Sequence, residues 1–216
     1  MMIKRIGKPY VWVTWITGYL SEDDRCYWRA WVQAHYQSYP KPEKTPEEQK
    51  AKDQFLSEWN RKHDNMVLSR AERMRQEGYQ VLVEREGKFA LSGAVATLGG
   101  QPDVIGLQPQ HKEAIIVDAK SGKKKSRYPW QVRLYQFAKG LTSLKGWKIR
   151  GEVEYADEVV PVEPIDDSHI QQISKVLKIV GGAEEPKRVP SQWECEYCDI
   201  VSCPDRWQPT DASKFF

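Results

Sequence analysis

The chain has 216 residues, a net charge of +3, 29% charged residues and a mean hydropathy of −0.69. No apolar run approaches the roughly 20 residues of a membrane span. The start, MMIKRIGKPYVWVTWITGYL, lacks the basic-then-apolar layout of a secretory leader. The expectation is a soluble, cytoplasmic chain with no membrane partner, built as one domain with small appendages.

Residues 14–39 read as helical and very aromatic, with Trp28, Trp31 and His35 at helical spacing and best taken as core. A Pro-rich connection, YPKPEKTP, follows. Thr45, Pro46 and Glu48 then form an N-cap, a first-turn proline and a capping box. They predict a helix to about Gln76, about 45 Å long, with an apolar stripe of Phe55, Trp59, Met66 and Val67 that also carries His63. Strands are expected at about 79–86, 88–98, 102–107 and 113–119 as a meander, with Glu84 in the first. A helix at about 129–142, β segments at about 148–155 and 157–163, and a helix at about 167–180 complete the pattern. Gly181 and Gly182 then release a coil carrying cysteines. Strands mixed with helices predict an α/β fold, a mixed sheet flanked by helices. The division expected is 1–44, an aromatic helical segment; 45–182, the core; and 183–216, a cysteine-rich cap.

The chemistry concentrates between Gly99 and Tyr135. Asp103 precedes one short apolar run, and Asp118 and Lys120 end another. Two apart on a strand, Asp118 and Lys120 share a face. Gln131 and Tyr135, four apart on a helix, share one too. Two carboxylates, a lysine and two neutral hydrogen-bonding groups suit metal-assisted phosphodiester hydrolysis. The carboxylates would hold a hard divalent cation, and the lysine would stabilise developing charge. From Lys120 to Arg150 there are ten Lys or Arg and no Asp or Glu. Lys123, Lys124, Lys125 and Arg127 in that stretch are candidates for following a phosphate backbone without reading sequence.

These residues resemble the RecB-type branch of the PD-(D/E)XK nucleases, whose motifs are G-x-x-D, (D/E)-x-K and Q-x-x-x-Y. The counterparts are Gly100 to Asp103, Asp118-Ala119-Lys120, and Gln131 to Tyr135. The resemblance implies Mg²⁺ or Mn²⁺ held by Asp103, Asp118 and the Ala119 carbonyl. It also implies a histidine ligand from the preceding helix, a place that His63 occupies, although a core histidine would sit on that stripe as well. Lys120, Gln131 and Tyr135 would complete the catalytic set, and Glu84 resembles a strand glutamate of the same branch.

Cys26 stands alone near the start, while Cys195, Cys198 and Cys203 cluster late, and Pro204 follows the last. In a reducing compartment such a set suits one metal centre better than disulfides. The one-plus-three order resembles the iron-staple nucleases, the AddB-type helicase-nucleases and the CRISPR-associated RecB-like exonucleases, in which a 4Fe–4S cluster clasps the fold. Zinc is the alternative for a four-cysteine site. The absence of a G-x-x-x-x-G-K-[ST] loop favours the compact CRISPR-associated family. That family implies single-stranded or frayed DNA ends as substrate, trimming for CRISPR adaptation, and a CRISPR integrase complex as partner. A non-catalytic DNA-binding subunit and a stand-alone repair or phage-borne nuclease are the other readings.

Overall fold

The structure is a computed structural model that describes residues 2–208. In chain order its elements are β1 (Ile3–Lys4), β2 (Tyr10–Trp12), α1 (Val13–Leu20), α2 (Tyr27–His35), β3 (Tyr36–Ser38) and α3 (Pro46–Gln76). Next come β4 (Gln80–Val83), a 3₁₀ turn (Glu84–Gly87), β5 (Phe89–Ser92), β6 (Thr97–Gly100), β7 (Val104–Gln108) and β8 (Glu113–Lys120). The chain continues through α4 (Arg127–Leu141), β9 (Lys148–Tyr155), β10 (Val159–Val162), α5 (Asp167–Gly181) and α6 (Gln192–Glu196). The expected α/β class is the observed one.

The main sheet has five strands in the order β10-β9-β8-β7-β4. All pairings are antiparallel except β8 with β9, which α4 joins as a parallel crossover. Strand β8 is buried on both faces, and its alternation sorts the layers. Ile115, Val117 and Ala119 pack with Val67, Ala71 and Met74 of α3. Ala114 and Ile116 face the other way, into the core that α1, α2, α4 and α5 share. Asp118 and Lys120 have the parity of Ala114 and Ile116, so both lie on the α4 side. Gly106 of β7 lets α3 approach, because a Cβ there would sit 2.2 Å from Met74 Cε.

Several expectations change. The helix expected at 14–39 is two helices, broken at Ser21 to Cys26, where a run of short polar residues includes Glu22 at φ 62°. Trp28, Trp31 and His35 are buried, as core residues should be. The strand at 88–98 is a hairpin that turns at Gly93, whose N–H donates to the Ala96 carbonyl at 2.9 Å. There is no continuous meander either: β4 pairs with β7, while β5 and β6 join β2 in a separate three-stranded sheet. Strand β2 escaped notice because three residues carry too little periodicity. Glu84 leaves the strand for the 3₁₀ turn, at φ 46°. The capping box of α3 is present, with Glu48 N–H donating to Thr45 Oγ1 and Thr45 N–H to Glu48 Oε2. Its stripe packs only from Met66 onward, however. Phe55 and Trp59 are exposed, at 68% and 43%, on a helical arm that covers no core.

The basic stretch also disperses. Lys148 pairs opposite Glu113 at the start of β8, seven residues and about 23 Å from Lys120 at its end. Arg133 and Lys139 belong to α4, where Lys139 is buried. Only the segment from Lys120 to Arg127 stays near the motif residues.

Candidate metal centre and cysteine clasp

The three motifs converge at the C-terminal end of β8. Asp118 is fully buried. Its Oδ1 accepts a hydrogen bond from Gln131 Nε2 at 2.8 Å, and the same amide donates to the Tyr135 hydroxyl at 2.8 Å. Helical spacing on α4 thus puts one amide group between a carboxylate and a phenol. Asp118 Oδ2 accepts no well-aligned hydrogen bond and lies 2.6 Å from Lys120 Nζ. Asp103 Oδ2 accepts the Ala119 N–H at 2.7 Å and lies 3.2 Å from His63 Nε2. Six of the predicted groups therefore form two adjoining sets, Asp118–Lys120–Gln131–Tyr135 and His63–Asp103, which meet through the Ala119 backbone.

Burial pushes the Asp118 carboxyl up to about 7, and Asp103 adds to the rise while Lys120 opposes it. Burial works against the Lys120 ammonium too, yet Asp118 beside it lifts its pKa above the usual lysine value. Each charge is tolerable there only because the other is present. The hydrogen bond to Asp103 raises the His63 pKa against the opposing effect of burial. Burial, with Asp118 nearby, holds the Tyr135 phenol well above its ordinary value, so it stays neutral.

Two further groups complete the surroundings. His63, Asp64 and Glu84 offer ligand atoms that all lie within 4.8 Å of one another. Asp64 was not anticipated, and Glu84 was anticipated on the wrong element. Glu84 takes a left-handed backbone while its N–H donates to the Asp103 carbonyl at 2.9 Å. A non-glycine residue held there beside a polar centre is the kind of strain that functional sites retain. Oxygen donors with one imidazole are a suitable set for Mg²⁺ or Mn²⁺, and the buried Asp118 carboxylate, whose Oδ2 is met only by the Lys120 ammonium, fits the same group.

The backbone-following candidates divide. Lys123, Lys124 and Lys125 are exposed on the loop after Lys120. Lys124 pairs with Glu158 at 2.5 Å, an exposed contact that a phosphate can replace. Arg127 lies 3.4 Å from both Asp23 and Asp24, tying α4 to the α1–α2 loop. That reduces its availability for a ligand.

All four cysteines are free thiols that line a single cavity beside Trp28, Arg29 and Arg206. Burial raises the Cys198 and Cys203 thiols, and the neighbouring Cys26 and Cys195 add to the effect at Cys203. Two protein contacts close this cavity from opposite ends of the chain. Glu194 Oε1 accepts the N–H groups of Arg25 and Cys26 at 2.8 and 2.9 Å. Ile200, fully buried, packs with Trp28, Trp31 and Val32. Four convergent thiols suit a soft metal centre.

A mixed sheet between helices thus carries a buried carboxylate beside a largely covered lysine at a strand end, with acidic groups around a histidine. The chain belongs to the PD-(D/E)XK nuclease superfamily, whose family model matches residues 20–203. Members of that superfamily are typically Mg²⁺- or Mn²⁺-dependent nucleases acting on DNA. A search of curated proteins found no match. Among solved structures, the crystal structure of SSO0001 is similar at 17% identity and a TM-score of 0.48, covering 94% of this chain and 90% of that one. No helix among the described residues is long and apolar enough to cross a membrane.

Proposed function

We propose that this chain is a metal-dependent deoxyribonuclease that trims single-stranded or frayed DNA ends and carries a 4Fe–4S cluster on Cys26, Cys195, Cys198 and Cys203. The observation that carries the reading is the Asp118–Lys120 pair, buried at a strand end and fixed by Gln131 and Tyr135. Asp103, Asp118, His63 and the Ala119 carbonyl are the proposed cation ligands, while Glu84 and Asp64 approach His63. When bound, the cation supplies charge neutralisation at the phosphate and a more acidic water.

The protein's own contribution is positional. Gln131 fixes Asp118 Oδ1, leaving Oδ2 with the lysine. The Lys120 ammonium, kept charged by its neighbours, can donate to a phosphate oxygen where negative charge builds. Tyr135 fixes the orientation of the Gln131 amide. The Lys123–Lys125 segment meets the flanking backbone, so binding weakens with salt and ignores sequence. A role beside a CRISPR integrase complex is supported only by the motif and cysteine order that resemble the CRISPR-associated nucleases. In that reading the Cys26 loop and the segment 192–203 form a clasp beside the core, to which α1 and α2 also contribute.

Protein purified without oxygen, incubated with end-labelled single strands and blunt duplexes, tests the reading. Mn²⁺-dependent shortening of the single strand, faster than of the duplex, is expected, with about four irons per chain. Sequence-specific duplex cutting would contradict the substrate class. Colourless protein with stoichiometric zinc would replace the cluster while keeping the clasp.

A further inference from the structure

The outer two-thirds of α3 cover no core, yet they present aromatic rings at a regular interval. Phe55, Trp59 and His63 are four residues apart, so they follow one another along the helix at steps of about 6 Å. The last two rings are already stacked, with centroids 5.1 Å apart and an interplanar angle of 17°. His63 covers one face of the Trp59 ring, and Trp59 still exposes 43% of its surface. At its inner end the series touches the site, since His63 Nε2 lies 3.2 Å from Asp103. At its outer end Lys52 stands three residues before Phe55, and Lys41, Lys44 and Lys52 line one groove, which Glu196 and Asp199 also line.

We infer that Phe55 and Trp59 form a base-stacking ladder that leads a single strand along α3 to the metal centre. Resting on the proposed nuclease reading, this assigns the exposed arm to substrate capture. A flat ring in solvent gains by covering its face with another, and every base offers a π face, so the contact tolerates any sequence. A base can stack there only if unpaired. The ladder therefore selects single strands and frayed ends, a selection that a row of surface lysines cannot make. The groove lysines suit the phosphates of the strand beyond the rings. A partner protein on the same face is the competing occupant. The continuity of the rings with a proposed metal ligand favours nucleic acid, and the three groove lysines outnumber the two carboxylates that share the groove.

The test is fluorescence anisotropy of labelled oligothymidylate with the full chain in EDTA, where nothing is cut and no cation is needed. Trp59→Ala should weaken binding about ten-fold, Phe55→Ala somewhat less, and Trp59→Phe should recover most of the loss. An abasic nucleotide scanned along the strand should cost the wild type about ten-fold at one position and cost Trp59→Ala nothing further there. That non-additivity separates stacking from a merely structural role for the ring. Wild-type binding with unchanged Trp59→Ala and Phe55→Ala affinities would overturn the ladder and leave the nuclease reading intact. So would equal abasic penalties in wild type and variant, or a fall in oligomer mass by sedimentation in both variants. A wild type that binds no single strand would overturn the ladder and the substrate reading together.

Discussion

Gly100 shows why the G-x-x-D motif begins with glycine in this chain. A Cβ there would lie 2.7 Å from the Phe89 ring and 2.9 Å from the Tyr135 ring. Tyr135 is bonded to the amide that fixes Asp118, so an intrusion at Gly100 reaches the carboxylate through two contacts. Gly100→Ala is expected to cost about 1–3 kcal/mol of stability in urea titration, the usual range for overpacking. Cleavage should fall by about ten-fold or more at temperatures where the variant is fully folded, because small misplacements near the chemistry are costly. Asp118 with Lys120 and Gln131 with Tyr135 were legible as pairs from strand and helix periodicity, and the resemblance to the PD-(D/E)XK motifs joined them to Asp103 as a set. Glu84 was not legible in the same way. Its approach to His63 depends on a left-handed backbone, which nothing in a glutamate's chemistry announces.

Helix α3 shows what an element's sequence does and does not state. Its start was readable because the cap is local: threonine, proline and glutamate at fixed offsets satisfy the first N–H groups. Its burial was not readable, because an apolar residue at helical spacing says only that a face could be covered. The inner half is held by packing and by charge. Arg70 reaches Glu152 at 2.5 Å and Glu154 at 3.4 Å, while Arg73 reaches Glu154 at 2.5 Å. Glu154 is almost wholly buried, so it serves two guanidinium groups with little water to replace it. Glu154→Ala should therefore destabilise by about 1–3 kcal/mol, since two charge-assisted hydrogen bonds go while Arg70 keeps Glu152 and Arg73 reaches solvent. In the folded fraction His63 should lose its fixed position, and Mn²⁺ affinity by calorimetry should drop. Unchanged unfolding free energy and Mn²⁺ affinity would show that packing alone positions the helix.

On the scale of the whole molecule, the chain's two ends meet. The contacts of Glu194 with the Cys26 loop and the burial of Ile200 against α2 bring the late segment onto the early one. A metal centre there would add to an existing clasp. If the proposed cluster is there, Cys26→Ser should remove it and lower the melting temperature by about 5 °C or more, while Asp118, Lys120 and their partners stay in place. Unchanged metal content and melting would remove Cys26 from the centre. The one-plus-three cysteine order was legible, but the protein contacts that close the cavity were not, since they join residues about 170 positions apart. The basic stretch misled for a related reason. A one-signed run looks continuous in sequence, but the β8–α4–β9 crossover carries it from one end of the sheet to the other.

The central claim is that the buried carboxylate–lysine pair performs divalent-cation-dependent DNA cleavage. Its most direct test is single-turnover cleavage of an end-labelled single strand at saturating Mn²⁺, comparing wild type with Asp118→Ala and Lys120→Ala. Each variant is first matched to wild type for fold by circular dichroism and for strand affinity in EDTA. The account predicts that both variants bind the strand almost as wild type does and cut it at least about a thousand-fold more slowly, as losing a central group of such a site entails. Cleavage by either folded variant at the wild-type rate would contradict the account.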